Sequence, residues 1–178
     1  MKLIQAMKKL KDLAVKSEDL RKKVALNCAD LTIETPQYPD QKAVIAGWIQ
    51  AHSDILKETL KLRFAIQRTN LATPVTIELG GVQVTKSIAE WIHRRRDLAK
   101  FEMEMWSRLG DKNLKEQNVQ TTAGGIVTEV RIRRYFDTAQ RDAKLDLFRT
   151  EPSIIDGALE VVNAVTDLIE DEPQAAAA

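Results

Sequence analysis

The sequence predicts a mainly α protein: antiparallel coiled-coil helices with β-hairpins inserted as a minor component. Three observations carry this. Leu3, Leu10, Ser17 and Val24 share one heptad position, and Ala6, Leu13, Leu20 and Asn27 share the other. Ile45, His52, Thr59 and Ile66, with Trp48, Ile55, Leu62 and Thr69, repeat the pattern after a proline-containing connector. Between the later helical stretches the period falls to two, around Gly80-Gly81 and again around Gly124-Gly125.

The first helix is expected from about Leu3 to Asn27, a stretch without Gly or Pro. Its length is marginal for an isolated helix, so it needs a partner. Pro36 and Pro39 exclude helix from the connector at 28–40, and Asp40 can cap the next helix. That helix is expected from Gln41 to Asn70, and the short connector makes the two an antiparallel hairpin. Val75-Thr76-Ile77-Glu78-Leu79 and Val82-Gln83-Val84 alternate about two glycines and read as a hairpin near 75–84. Ser87-Ile88-Ala89-Glu90 has the form of a capping box. It opens a third helix with an apolar side of Ile88, Trp91, Ile92, Leu98, Phe101, Met105 and Leu109, closed by Gly110. A second hairpin is expected near 119–135, its long second strand running to Tyr135. The chain then returns to helix, about Thr138–Arg149 and Glu151–Glu170, with Thr150 and Pro152 marking a new helix start. Residues 1–172 read as a single elongated domain and 173–178 as a flexible tail.

Composition limits the function. The 178 residues carry 27 Lys or Arg and 26 Asp or Glu, a net charge of +1, which disfavours a uniformly basic nucleic-acid binder. A single cysteine, Cys28, excludes an internal disulfide framework and a cysteine-based zinc site. No run of about 18 apolar residues is present, so no membrane partner is expected. The N-terminus lacks a signal-peptide core, and a cytoplasmic location is the default. The charge is segregated: residues 1–27 carry a net +5 and residues 151–172 a net −7. Neighbouring basic and acidic helices, within the fold or across an oligomer interface, are the simplest account.

Motif chemistry is sparse. Neither Gly-Gly pair is followed by the Lys and Ser/Thr of a phosphate loop, and no nucleophile elbow or H-E-x-x-H occurs. Glu90-Trp91-Ile92-His93 fits the Glu-x-x-His spacing of di-iron proteins, but such a site needs two motifs and two further glutamates. No catalytic residue, metal site or cofactor is therefore assigned, and an enzyme is not expected. Two arginine clusters, Arg94, Arg95 and Arg96 on the third helix and Arg131, Arg133 and Arg134 on the second β segment, are candidate nucleic-acid contacts, with Tyr135 able to stack on a base. Trp48, Trp91 and Trp106, with Val75, Ile77, Val82 and Val84 of the first hairpin, are candidate core or interface residues.

Lys2-Leu3-Ile4-Gln5-Ala6, Ile66-Gln67-Arg68-Thr69-Asn70 and Leu159-Glu160-Val161-Val162-Asn163-Ala164, in this order of elements, resemble the DIP1984-like (septicolysin-like) family of small bacterial and phage proteins. The resemblance spans most of the chain and implies a long coiled-coil protein; no catalytic residue carries over. The expectation is a non-enzymatic, homo-oligomeric structural or assembly protein, such as a phage virion component of decoration, neck or tail type. Its partners would be copies of itself and other virion proteins. The alternative is a nucleic-acid or regulatory binding module that uses the arginine clusters.

Overall fold

The computed structural model describes residues 1–120 and 127–170, and of 118–120 and 127–129 the backbone alone. The protein is mainly helical with a minor antiparallel β component. In order, the elements are α1 (Leu3–Asn27), α2 (Gln41–Ala72), β1 (Pro74–Leu79), β2 (Val82–Ser87) and α3 (Ile88–His93). A π-helical turn (Arg94–Leu98) leads into α4 (Ala99–Ser107), followed by β3 (Gln117–Gln120), β4 (Val127–Val130) and α5 (Thr138–Val165). The chain forms two compact units. One comprises Met1–Val75, Ser87–Ala89 and the chain from Leu159, and the other Thr76–Lys86 and Glu90–Ala158.

In the first unit α1 and α2 form the expected antiparallel hairpin. Gln41 donates to the carbonyl of Asn27 at its loop end (2.9 Å), and Lys9 meets Glu58 further along (2.6 Å). The Asp40 carboxylate accepts from the Ala43 N–H at 2.9 Å, the cap its position requires. The seam follows the two heptad rows. Leu3, Ala6 and Leu13 are buried with Leu62, Ala65, Ile66 and Thr69, while Leu20, Val24, Ile45, Trp48 and His52 are half-buried. The end of α5 differs from the sequence expectation. Helix stops at Val165 rather than near Glu170, because the following residues pair with the N-terminus. Leu3 N–H donates to the Thr166 carbonyl (2.9 Å), Leu168 N–H to the Met1 carbonyl (2.8 Å), and Lys2 and Asp167 form a β-bridge. Ile169 N–H then donates to Thr69 Oγ1 (2.8 Å), whose own proton goes to the Ala65 carbonyl (2.8 Å).

In the second unit the Gly80-Gly81 turn has φ of +58° and +79°, the left-handed pair that a two-residue hairpin loop requires. Thr76 and Thr85 share a hydroxyl hydrogen bond (2.7 Å), and Gln83 donates to Glu78 (2.9 Å). The inward residues of β1 are buried: Ile77 in this unit and Val75 in the first. Trp91 is fully buried as well, so these three of the candidate interface residues are core.

Four further expectations change. On α3 and α4 the apolar residues divide between two sides. Ile88, Trp91 and Ala99 are buried and Met103 and Trp106 half-buried, whereas Leu98, Phe101 and Met105 are exposed. The small Ala99, absent from the expected stripe, marks the side that packs closely. Gly110 is not the cap. α4 ends at Ser107, and the chain reverses through Lys112 and Asn113, both at positive φ. β4 ends at Val130, not Tyr135. Its partner starts at Gln117, opposite Val130, so the ladder has no continuation; Ile132 N–H instead meets the Glu116 carboxylate (3.3 Å). The Gly124-Gly125 turn lies outside the described residues. Finally, Pro152 does not divide α5, although an interior proline costs about 3 kcal/mol. Phe148, Glu151 and Ile155 on either side of it are buried, and their packing holds the helix together.

Thr69 closes the C-terminal segment onto α2, which makes it a sharp stability test. Thr69→Val keeps the shape but removes the acceptor for Ile169 N–H, and it should cost about 1–2 kcal/mol in urea unfolding. Thr69→Ser should recover most of that loss. An unchanged midpoint for Thr69→Val would show that the bond contributes nothing net.

Candidate functional site

The two arginine clusters lie in the second unit, in different local structures. Arg94 opens the π-helical turn, a feature frequent at functional positions. Its guanidinium pairs with Glu151, which is 1% exposed, and also with Glu102; one η-nitrogen lies 2.9 Å from Glu151 Oε2 and 3.3 Å from Glu102 Oε2. The same guanidinium sits 5.4 Å from the centre of the Phe148 ring. Hydrogen bonds to the two carboxylates raise the Arg94 pKa further above its already high value, and Arg94 in turn lowers that of Glu102. Arg95 pairs with Asp156, and Arg96 with its neighbour Asp97 (3.1 Å) while approaching His93 Nδ1 (3.2 Å). This cluster is thus largely neutralised inside the chain.

The second cluster is not a strand face, because β4 ends before it. Arg134 forms a two-pronged pair with Asp111, both contacts at 2.7 Å, which lowers the Asp111 pKa and raises that of Arg134. A cleft of about 320 Å³ adjoins it, lined among others by Arg108, Asp111, Ile132, Arg133 and Tyr135. Tyr135 is 90% exposed.

The segregated charges are not matched helix to helix. The acidic stretch straddles both units. Glu151 and Asp156 serve the arginines of the second unit, and Asp167 meets Lys2 in the first at 2.9 Å. Lys9 of α1 turns to Glu58 of α2. Among the described residues, Lys2–Asp167 is the one ion pair between the basic and acidic segments.

Of the remaining candidates, Trp48 is half-buried and stacks edge-on against Tyr38 of the connector, with ring centres 5.6 Å apart. Trp106 and Val84 are half-buried, and Val82 is exposed. Cys28 is exposed and donates weakly to the Ala25 carbonyl (3.6 Å). Among the described residues no group of three or more His, Cys, Asp or Glu is placed to hold a metal ion. No helix of the described residues is long and apolar enough to cross a membrane.

The feature that heptad reading missed is a second apolar row on α2. Ile49, Leu56, Leu60, Phe64 and Leu71 lie on one helical face away from the α1 seam, each more than half exposed. The spacing is visible in the sequence, but it competes with the seam, and periodicity alone does not say which row is covered. Comparison with protein-family models, curated proteins and solved structures gives no match.

The Arg94 node generates a signed expectation. Arg94→Met leaves the buried Glu151 without its cation and should destabilise by about 3–5 kcal/mol; Arg94→Met with Glu151→Leu should restore much of this. Glu102 has its pKa depressed in the folded state. Its contribution is therefore present above the ordinary carboxylate value near 4.5 and lost as pH falls through the lower folded value. Denaturation of wild type and Arg94→Met between pH 3 and 7, pH values chosen to bracket the ordinary range, should show a flatter acid limb in the variant. Parallel limbs would remove the coupling.

Proposed function

We propose that the chain is a non-enzymatic, homo-oligomeric structural or assembly protein. The observation that carries this reading is the number of large apolar side chains left in ordered rows on exposed helix faces. α2 presents Ile49, Leu56, Leu60, Phe64 and Leu71 as a row; α1 adds the widely spaced Ile4, Val15 and Leu26, and the last turns of α5 add Val161 and Val165. Scattered single apolar residues are ordinary on a monomer, but contiguous rows mark interaction surfaces. One long row on α2, with further exposed apolar side chains on other helices, suits assembly. A phage virion component, a decoration, neck or tail part, is the specific form we favour, in line with the resemblance to the DIP1984-like coiled-coil proteins. The location would then be the host cytoplasm and the assembled particle.

A second reading rests on Tyr135 and Arg133, which edge an open cleft and could engage single-stranded nucleic acid. The carboxylates on Arg94, Arg95 and Arg134 weigh against it, since those charges are already compensated.

Light scattering at low and high salt, with the ultraviolet absorbance ratio read on the same sample, separates the two. The assembly reading expects one discrete mass above the monomer, free of nucleic acid and stable to salt. A nucleic-acid complex that dissociates steeply with salt, and weakens on neutralising Arg133, would replace it.

A further inference from the structure

The outer row of α2 has a property beyond being apolar. Its intervals, Ile49 to Leu56, Leu60, Phe64 and Leu71, are seven, four, four and seven residues, the same read in either direction. Reversal about Leu60 places Ile49 on Leu71, Leu56 on Phe64 and Leu60 on itself. Any two-fold interface pairs residue i with j and j with i, and this spacing lets each apolar level of one copy meet an apolar level of the other. We propose that this row is a dimerisation surface whose occupant is the same row of a second copy, antiparallel, with Leu60 on the axis. The inference rests on the assembly reading and names its first interface.

The exposed apolar area fits that occupant. The five side chains are 52–69% exposed. At the usual size of large apolar side chains they offer roughly 600 Å² per copy, so complete burial of both rows would remove about 1,200 Å² from water, the lower bound of a standard stable interface. The row spans about 33 Å of straight helix, long enough for ridges and grooves to interdigitate at several levels. The flanks of the row carry Lys57, Lys61, Arg63 and Arg68 against Asp54, which already pairs with Lys57 in its own chain (3.3 Å). The surface is therefore net basic, apolar burial must outweigh repulsion between like copies, and salt should strengthen the dimer.

The test is site-specific cross-linking of the full chain in a Cys28→Ser background. Leu60→Cys should form a disulfide with itself on mild oxidation at least about tenfold faster than the exposed control Lys11→Cys, because the partner thiol is held at high effective concentration. Ile49→Cys and Leu71→Cys should each cross-link slowly alone and rapidly when the two variants are mixed. If wild type is oligomeric but Leu60→Cys behaves like Lys11→Cys, this surface is wrong and the assembly reading stands. If wild type remains monomeric at all concentrations, both fall. Leu60 is exposed, so the cysteine variant should keep the wild-type helical circular dichroism, and a retained spectrum makes a negative result interpretable.

Discussion

A helix of 32 residues is about 48 Å long, and α1 can cover only one side of it. That geometric constraint governs the first unit. α2 carries two apolar faces, one meeting α1 along the heptad seam and the other left more than half exposed. A single-faced α2 would belong to a self-sufficient hairpin. A two-faced one loses hydrophobic stabilisation of about 25 cal/mol for every Å² of apolar surface left in water. The sequence keeps Leu, Ile and Phe at those positions where Lys or Glu would form helix equally well, so helix propensity does not explain them.

Electrostatics divides differently from hydrophobicity. The acidic C-terminal stretch appears in the sequence as one block, yet its carboxylates act in two places. Glu151 is buried and must be paired, since an isolated carboxylate in that setting would be strongly penalised. Arg94 satisfies it with two nitrogens and keeps enough reach for Glu102, and Phe148 covers the guanidinium. A guanidinium meets these demands better than an ammonium because its fork is planar and its charge permanent. The π-helical turn begins at this residue. The node accordingly supports the fold of the second unit and compensates the charge of Arg94 within the chain.

Much of the fold was legible because local rules and packing agree. The extent of α1, a stretch without Gly or Pro, the Asp40 cap, the connector prolines and the glycine turn at 80–81 follow from helix propensity, capping, proline sterics and positive φ, all local in sequence. Each miss marks a place where a distant contact overrides a local signal. Pro152 should start a helix, but the buried residues around it carry α5 through. Residues 166–170 should be helical, but Met1, Leu3 and Thr69 recruit their backbone. The β4 strand should reach Tyr135, but its partner does not start early enough. Of the candidate site residues, the sequence identified Arg94, Arg95 and Arg134 as charged clusters without showing their carboxylate partners, which lie 57, 61 and 23 residues away.

The seam itself explains why an outer face would be retained. Its fully buried residues gather at one end, where Leu3, Ala6 and Leu13 meet Leu62, Ala65, Ile66 and Thr69. Toward the loop, Ser17, Asn27, His52 and Thr59 interrupt the rows and every seam residue is only half-buried. Polar residues at such positions fix register at a cost in stability. The hairpin therefore grades from firm to weak along its length, and local opening is cheapest where burial is thinnest. The outer row of α2 runs from Ile49, in the weak half, to Leu71, in the firm half. A partner laid antiparallel along it brings the firm half of one copy against the weak half of the other, reinforcing both hairpins where each needs it.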